Sequence, residues 1–527
     1  MTADDPQQTP GMTADDTKRS PAASRGPSAD RPCLTGEQIR ALDRAHVVHS
    51  WSTQSQISPS VVSGGEGRYF WGPEGRRILD FASLVVNANL GHQHPRVTEA
   101  IASQARRLCV TAPAMTDEAR ARLAALLAEI TPGDLTMSFF TNGGADATEN
   151  AIKLARWYTG RQKIVARYRS YHGATAGAAS VTGDPRRWAA EPGVPGVVRM
   201  FDPYPYRCPA GHDHPQVYAP GRGETTTGRS TTVSKSAATA FDDDTVALLP
   251  ARDPGACPVC SGGPHLEEIL QYEGPHTVAA VILETVTGTN GVLVPPDGYL
   301  ASIREVCDRY DILLILDEVM SGFGRTGRWF ACEHWDVVPD IMTVAKGITS
   351  GYLPLGAVIV SERLADWLQD HEFAAGLTST GNPLCCAAGI ATIEAMREEK
   401  VVENAAAMGE VLAAELPRLA AEHPCVGEAR GLGLLWALEL VKDRTTREPL
   451  VPFNAKGEAA GPMRRLFEAA LARGLYLMTH FNLVLVAPPL TITRAELDEG
   501  LTILDEVLAV GDEALACRAR NGRAPFA

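Results

Sequence analysis

The chain has 527 residues, of which 45% are apolar and 21% charged, and it carries a net charge of −14. That composition excludes global disorder, a coiled coil and a collagen-like chain, and the acidic balance disfavours nucleic acid as a partner. No apolar run reaches the roughly 20 residues of a membrane-spanning helix, so we expect no membrane partner. Eleven cysteines scattered along a long chain, behind an N-terminus without an apolar signal core, favour a cytoplasmic location.

Two stretches lack the apolar periodicity of a folded element. Residues 1–33 are rich in Pro, Ser, Ala and Asp, which predicts a disordered tail. Residues 216–256 predict a flexible insertion, because a structureless loop of that length is unusual inside a domain. The opening sequence Met-Thr-Ala-Asp-Asp recurs at Met12, so a second start site and a chance repeat both remain open.

Between these stretches, short apolar runs alternate with amphipathic segments. Near-continuous runs such as 278–283 and 312–316 are typical of strands covered on both faces, and their alternation with helices predicts an α/β fold with a doubly wound sheet. We assign this large domain to residues 96–361 and a smaller α/β domain to 34–95 and 362–527. The predicted strands cover 136–140, 163–167, 278–283, 312–316, 341–345, 355–360, 434–440 and 483–486, and the clearest helices cover 147–158 and 299–310.

Chemically distinctive residues follow these strands, and ligands bind at the carboxyl ends of parallel strands. Gly143 and Gly144 open a helix, which suits an anion at the helix start and equally a tight turn. Glu284 and Asp317 each end a buried strand, where a carboxylate needs a positive or protonated partner unless it is a cap or a structural ion pair. Lys346 follows another buried strand; desolvation would lower its pKa and let it attack a carbonyl, although a surface lysine is the alternative.

Together these residues describe the binding groups for one small molecule. A phosphate at a glycine-rich helix start, a pyridinium nitrogen facing a buried carboxylate and an aldehyde held by a lysine amine are the features of a pyridoxal 5'-phosphate site. The sequence therefore predicts pyridoxal phosphate as the cofactor.

The order and spacing of several motifs resemble the class III, or omega, aminotransferases of the fold-type-I pyridoxal-phosphate family. The resemblance covers roughly residues 40–515 and implies a large mixed sheet domain with a smaller domain built from both ends of the chain. The motifs are Phe139-Phe-Thr-Asn-Gly-Gly-Ala-Asp-Ala147, Ser170-Tyr-His-Gly173, Leu316-Asp-Glu-Val-Met-Ser-Gly-Phe-Gly-Arg-Thr-Gly327, Ala345-Lys-Gly347, Thr378-Ser-Thr-Gly-Asn-Pro383 and Arg430-Gly-Leu-Gly433.

The resemblance also implies roles for individual residues. Lys346 would bind the cofactor's aldehyde, Asp317 would keep its ring nitrogen protonated, and Glu284 would support Asp317 or the ring oxygen. Arg430 would receive a substrate carboxylate, because a guanidinium is a bidentate donor. The remaining cofactor contacts implied by the motifs are Gly143, Gly144, Ala145, Tyr171, His172, Val319 and, reaching the neighbouring subunit of a homodimer, Thr378.

Two positions depart from the pattern of relatives that use glutamate. Those relatives carry a second acid, which pairs with the arginine, five residues after the Glu284 position, but this chain has Thr289. The arginine gate is therefore absent or built differently. Met320 stands where another relative has a glutamine that bonds the ring hydroxyl. Both changes weaken any transfer of substrate from those relatives.

A second group of residues predicts a structural zinc site. Cys208 and His212 precede the insertion, and Cys257 and Cys260 follow it in a Cys-x-x-Cys arrangement. These are tetrahedral zinc ligands in type and spacing, although unremarkable loop residues or a reducible thiol pair would give the same sequence. We expect no catalytic role for them.

The same cysteine segments resemble taurine–2-oxoglutarate and taurine–pyruvate aminotransferases. We therefore expect ping-pong transfer of an amino group from a terminal amine such as taurine or β-alanine to 2-oxoglutarate or pyruvate. Trp51 is expected either to contact the substrate or to belong to the core. The alternatives are a decarboxylase or aminomutase on the same fold and a non-catalytic binding protein.

Overall fold

The computed structural model describes residues 34–212 and 257–521, so the predicted tail and the predicted insertion lie outside the described residues. The chain divides into two compact units, residues 1–62 and 63–527. In the first unit, helix α1 (Gly36–His46) begins with a capping box, in which Thr35 and Gln38 exchange side-chain and backbone hydrogen bonds.

Among the described residues, the second unit contains three sheets and the helices that follow α1. The strands are β1 (Gly64–Glu66), β2 (Tyr69–Trp71), β3 (Arg77–Asp80), β4 (Leu135–Thr141), β5 (Lys163–Arg167), β6 (Val197–Met200), β7 (Val278–Glu284), β8 (Leu313–Asp317), β9 (Ile341–Val344), β10 (Gly356–Ser361), β11 (Val426–Leu432), β12 (Leu435–Asp443), β13 (Glu448–Pro449), β14 (Leu475–Tyr476), β15 (Met478–His480) and β16 (Leu483–Val486). The helices are α2 (Ser83–Val86), α3 (Pro95–Arg107), α4 (Glu118–Ile130), α5 (Gly144–Thr159), α6 (Ala176–Val181), α7 (Pro258–Ser261), α8 (Gly263–Glu273), α9 (Tyr299–Arg309), α10 (Glu362–Asp370), α11 (Pro383–Glu398), α12 (Val401–Glu422), α13 (Gly461–Ala472) and α14 (Arg494–Asn521).

The central sheet has seven strands in the order β4-β10-β9-β8-β7-β5-β6. Only β10 runs antiparallel to its neighbours β4 and β9, so the sheet is mixed. The α/β fold class is confirmed. The short strand β6 was not predicted, because its four residues, Val-Val-Arg-Met, are too few to show a periodicity.

Alternation along the central strands shows why they are so apolar. In β7, Val281 and Leu283 belong to one apolar cluster, whereas Ala280 and Ile282 belong to another. Successive side chains of a strand point to opposite faces, so both faces of this sheet are covered by packed side chains. Every residue of β7 and β8 is buried.

Two smaller sheets are formed by segments that come before and after the central sheet in the sequence. One has the order β1-β2-β3-β14, in which β14 pairs in parallel with β3, so segments from before and after the large sheet share hydrogen bonds. The other has the order β11-β12-β16-β15, with β13 on β12. Among the described helices, none has the length and apolar character that a membrane crossing requires.

Candidate active site

The structure brings the predicted strand ends together at one edge of the central sheet. Strands β7, β8 and β9 are parallel neighbours, and Glu284 at the end of β7 is in register with Asp317 at the end of β8. Lys346 follows β9 after one intervening residue. The amine and the two carboxylates predicted to act together therefore share one edge.

These residues line a cavity of about 280 Å³. The cavity also includes Thr289 and Met320, the two positions where the sequence departs from the glutamate-using relatives. The predicted cofactor-site residues that line it are Gly144, Ala145, Tyr171, His172, Glu284, Asp317, Val319 and Lys346.

Asp317 is held through both of its carboxylate oxygens. Oδ1 accepts a hydrogen bond from the backbone N–H of Val319 at 3.0 Å, and Oδ2 lies 2.6 Å from Nδ1 of His172. Because Oδ2 is an acceptor, the His172 proton is placed on Nδ1; Nε2 is buried and has no hydrogen-bond partner among the described residues. Asp317 is 4% exposed, so its orientation is fixed while each oxygen keeps a lone pair for a further donor.

Glu284 is anchored by two backbone donors. Its Oε1 accepts from the N–H of Tyr171 at 2.9 Å, and its Oε2 accepts from the N–H of Gly288 at 2.7 Å. Burial raises the pKa of Glu284; the neighbouring His172 opposes this change and Asp317 adds to it. Because its pKa is raised, the carboxyl of Glu284 can hold a proton and donate it in a hydrogen bond to a bound group.

Lys346 occupies a constrained and partly desolvated position. Its φ of 42° is left-handed, at the start of the 3-10 turn Lys346–Thr349, and such values are uncommon for residues other than glycine. Burial lowers the pKa of Lys346 by more than Asp317 and Glu284 raise it. The lowered pKa increases the fraction of neutral amine, which is the nucleophilic form.

Helix α5 opens onto the cavity through its glycine-rich start. The helix begins at Gly144 with Gly143 as N-cap, and the Thr141 hydroxyl donates to the Gly143 carbonyl at 3.0 Å. A Cβ on Gly144 would lie 3.0 Å from Cγ1 of Val319, so a larger residue would crowd this wall. The first N–H groups of a helix are unpaired and carry partial positive charge, which suits a phosphate.

Arg186 is a candidate functional residue that sequence reasoning missed. Its guanidinium carbon lies 3.6 Å from the centroid of the Tyr171 ring, and its Nη2 donates to the hydroxyl of Thr289 at 2.8 Å. Its Nε also donates to Asp184 at 2.8 Å, within an ion pair. The sequence offered one signal for Arg186, which is Thr289 at a position that is acidic in some relatives. The hydroxyl of Thr289, which is neutral, accepts a hydrogen bond from this arginine.

Arg430 lies in a different environment from the one predicted for a substrate-binding residue. It is fully buried, and its Nη1 contacts the carboxylates of both Glu428 and Glu439, the second at 2.8 Å. Its Nε donates to the carbonyl of Gly291 at 2.6 Å. Arg430 does not line the cavity that the described residues form, so to meet a substrate it would have to leave two acidic partners.

The remaining predicted residues differ in their exposure and in their neighbours. Thr378 is exposed and does not contribute to the cavity of its own chain. Trp51 belongs to the first unit, and its side chain is 60% exposed. Of the predicted metal ligands, the sulfurs of Cys208, Cys257 and Cys260 form one group, and His212 is not part of it.

The chain matches the aminotransferase class-III family over residues 51–220 and 223–508. It belongs to that family. The fold class and the enzyme class expected from the sequence are thereby confirmed, and the chain is a class-III aminotransferase.

Individual members of the family are similar over nearly the whole chain. A solved structure described as taurine:2-oxoglutarate aminotransferase from Bifidobacterium kashiwanohense, in complex with PLP and glutamate, is 39% identical, covers 92% of this chain and 100% of its own, and has a TM-score of 0.80. Putrescine–pyruvate aminotransferase of Pseudomonas aeruginosa is 31% identical over 89% of this chain and 95% of its own. Taurine–pyruvate aminotransferase of Bilophila wadsworthia is 30% identical over 90% and 98%. The predicted resemblance to the taurine-using members is confirmed at the level of similarity.

Proposed function

We propose that this class-III aminotransferase uses pyridoxal phosphate to move an amino group from a terminal amine, such as taurine or β-alanine, to 2-oxoglutarate or pyruvate. The observation that carries the proposal is the meeting of Lys346, Asp317 and Glu284 in one cavity beside the start of α5. The Bifidobacterium relative is a taurine:2-oxoglutarate aminotransferase in complex with PLP, and its similarity supports both the cofactor and the taurine class of donor.

The described residues fit pyridoxal phosphate at its phosphate, its ring nitrogen and its aldehyde. The N–H groups of Gly144 and Ala145 at the start of α5 would hold the phosphate. Asp317, with lone pairs left open by its present partners, would face the ring nitrogen, and Tyr171 and Val319 would pack on the ring. Lys346 supplies the amine for the aldehyde carbon. When bound, the cofactor would supply an aldehyde and an electron-accepting pyridinium ring.

Each protein group then has a defined task. Asp317 would keep a proton on the ring nitrogen, and His172 holds Asp317 in the orientation that this requires. The neutral amine of Lys346 would accept a proton from the donor carbon that bears the amino group and pass it to the aldehyde-derived carbon of the cofactor, and it would move a proton in the opposite direction when the acceptor reacts. Because donor and acceptor use the same groups in turn, ping-pong kinetics are expected.

Arg186 gives the site a preference for a donor with an anionic end. Its guanidinium is fixed by Asp184 and Thr289 and lies over the ring of Tyr171, and both Tyr171 and Thr289 line the cavity. A guanidinium binds a sulfonate or carboxylate through charge-assisted hydrogen bonds. Taurine and β-alanine carry such a group two carbons from the amine, whereas a simple alkylamine does not.

We assign the acceptor's carboxylate to Arg430 only as a prediction from the family pattern. In the described conformation Arg430 is paired with Glu428 and Glu439, so acceptor binding would require that this pairing open. A homodimer with shared sites, in which Thr378 serves the neighbouring subunit, is proposed on the same resemblance. A cytoplasmic location is proposed from the scattered cysteines of the sequence.

The test is a half-reaction with purified, cofactor-loaded protein. Taurine, β-alanine, 4-aminobutyrate and alanine are added separately, and loss of the cofactor's absorption band is followed in the absence of acceptor. We expect taurine or β-alanine to bleach the band fastest, with sustained turnover only after a 2-oxo acid is added. Turnover that continues without a 2-oxo acid would favour a decarboxylase or aminomutase, and absence of the band after loading would favour a non-catalytic protein.

A further inference from the structure

Three cysteine side chains meet at one point outside the active site. The Sγ atoms of Cys208, Cys257 and Cys260 all lie within 4.8 Å of one another. Cys208 Sγ is 3.4 Å from that of Cys257 and 4.0 Å from that of Cys260. A tetrahedral zinc ion with Zn–S bonds of about 2.3 Å places its sulfurs about 3.8 Å apart. The observed spacing is therefore that of a set of zinc ligands.

Tight backbone turns flank the cysteines. Cys257 is the N-cap of α7, and its sulfur accepts a hydrogen bond from the N–H of Cys260 at 3.4 Å. Gly262, which ends α7, has a φ of 77°. On the other side, Gly211 has a φ of 73° and its N–H donates to the Cys208 carbonyl at 3.0 Å. An N–H···S bond stabilises the thiolate form, which is the form that binds metal.

Burial distinguishes this group from incidental surface thiols. Cys257 and Cys260 are each 6% exposed, and they form a small cluster separate from the main apolar core, with Val259 and the partly buried Cys208. A buried cysteine can act as a small apolar residue, but packing alone does not require three sulfurs at one point.

We propose that Cys208, Cys257 and Cys260 bind a structural zinc ion. Binding replaces three thiol protons, so Zn²⁺ and three thiolates carry a net charge of −1 and protons are released to solvent. His212, four residues after Cys208, is the candidate for the fourth ligand, although the proposal stands on the three sulfurs.

The site would tie two distant parts of the chain together near the Arg430 pairing. Cys208 directly follows the 3-10 turn Pro205–Arg207, and Cys257 directly precedes α7. Arg207 and Tyr204 both contact the Glu439 carboxylate, which is also a partner of Arg430. A metal at Cys208 would therefore fix the segment that holds Glu439 in place, which is a structural role.

The test measures metal content of the full chain and is independent of transaminase activity. The protein is produced in zinc-supplemented medium, freed of loosely bound metal by dialysis, and analysed by mass spectrometry of the elements. We expect about one zinc ion per chain in the wild type and in Cys109→Ser, which removes an exposed cysteine outside the group. Cys257→Ser and Cys260→Ser should each lose most of the zinc, and His212→Ala should weaken retention against a chelator.

A second measurement covers variants that fail to fold. Wild-type protein is exchanged with Co²⁺ and examined for the visible d–d bands of tetrahedral cobalt–thiolate coordination, in cofactor-free protein. Wild-type protein without zinc after supplementation and without these cobalt bands would overturn the proposal. A thiol count reduced by two in zinc-free protein would also overturn it, because it would identify the group as a disulfide. Neither result would bear on the aminotransferase activity.

Discussion

At the scale of single residues, the site depends on how firmly each charged group is oriented. Asp317 is fixed by His172 and by the Val319 N–H, and Glu284 is fixed by two further N–H donors. Arg186 is fixed by Asp184 and Thr289. Preorganised groups do not have to be reoriented during the reaction, which is the main way a protein site stabilises developing charge.

Replacement of Asp317 separates cofactor binding from catalysis. Asp317→Asn keeps an acceptor for His172 but cannot hold a full charge opposite the ring nitrogen. We expect the variant to retain pyridoxal phosphate and to lose roughly 10²–10⁴-fold in kcat, the range typical of a lost proton-holding group. Absorption spectra and single-turnover rates with taurine measure the two properties separately. Activity within threefold of wild type would contradict the role given to Asp317.

Replacement of Arg186 tests the preference for an anionic donor. Arg186→Met removes a charge-assisted hydrogen bond worth about 1.5–3 kcal/mol, so kcat/KM for taurine should fall roughly 10- to 100-fold. The value of kcat/KM for an alkylamine that lacks an anionic group should change little. Arg187→Met is the matched control, because Arg187 lies in the same turn but pairs with Glu191. Equal losses of kcat/KM for donors with and without an anionic group would mean that Arg186 serves to pack against Tyr171 instead.

At the scale of elements, the parallel order of β7, β8 and β9 assembles the site, while contacts between helices keep the C-terminal part in place. His423, at the end of α12, bridges two carboxylates of α14: Asp512 at 2.6 Å and Asp505 at 2.7 Å. Burial lowers the pKa of His423, but the hydrogen bonds to Asp512 and Asp505 outweigh burial and raise the pKa above its ordinary value.

The raised pKa gives the stability of this contact a defined pH dependence. Since protonated His423 is favoured in the folded state, its contribution is complete below the unfolded pKa of about 6.5 and is lost as pH rises through the higher folded pKa. We therefore expect His423→Gln to lower the melting temperature more at about pH 6 than at about pH 9. His371→Gln is the control, because His371 bonds the Trp367 carbonyl. A difference that does not depend on pH would refute this account.

At the scale of the whole molecule, much of the site was predictable because it depends on local patterns. Continuous apolar runs predict buried parallel strands, and the carboxyl ends of such strands meet, which places Glu284, Asp317 and Lys346 together. Arg186 was not predictable, because the hydrogen bonds of Asp184 and Thr289, far apart in sequence, determine its position. The pairing of Arg430 with Glu439 likewise depends on an antiparallel contact between β11 and β12.

The proposed homodimer predicts that two inactive subunits can restore one site. In a mixture of Lys346→Ala and Thr378→Ala chains, a hybrid dimer would contain one site that has both residues intact if Thr378 serves its neighbour. We expect activity to rise well above that of either variant after the chains are mixed and reassembled. Absence of any rise, with hybrid formation verified by mass spectrometry, would mean that Thr378 does not act across subunits.

We infer that the amine of Lys346 is the group that binds the cofactor covalently. The most direct measurement is borohydride reduction of the pyridoxal-phosphate-loaded protein, followed by mass spectrometry of its peptides. We expect the reduced cofactor to be attached to Lys346. We also expect that addition of taurine before reduction prevents this labelling of Lys346. A label on another lysine, or no label on protein that binds the cofactor, would contradict the account.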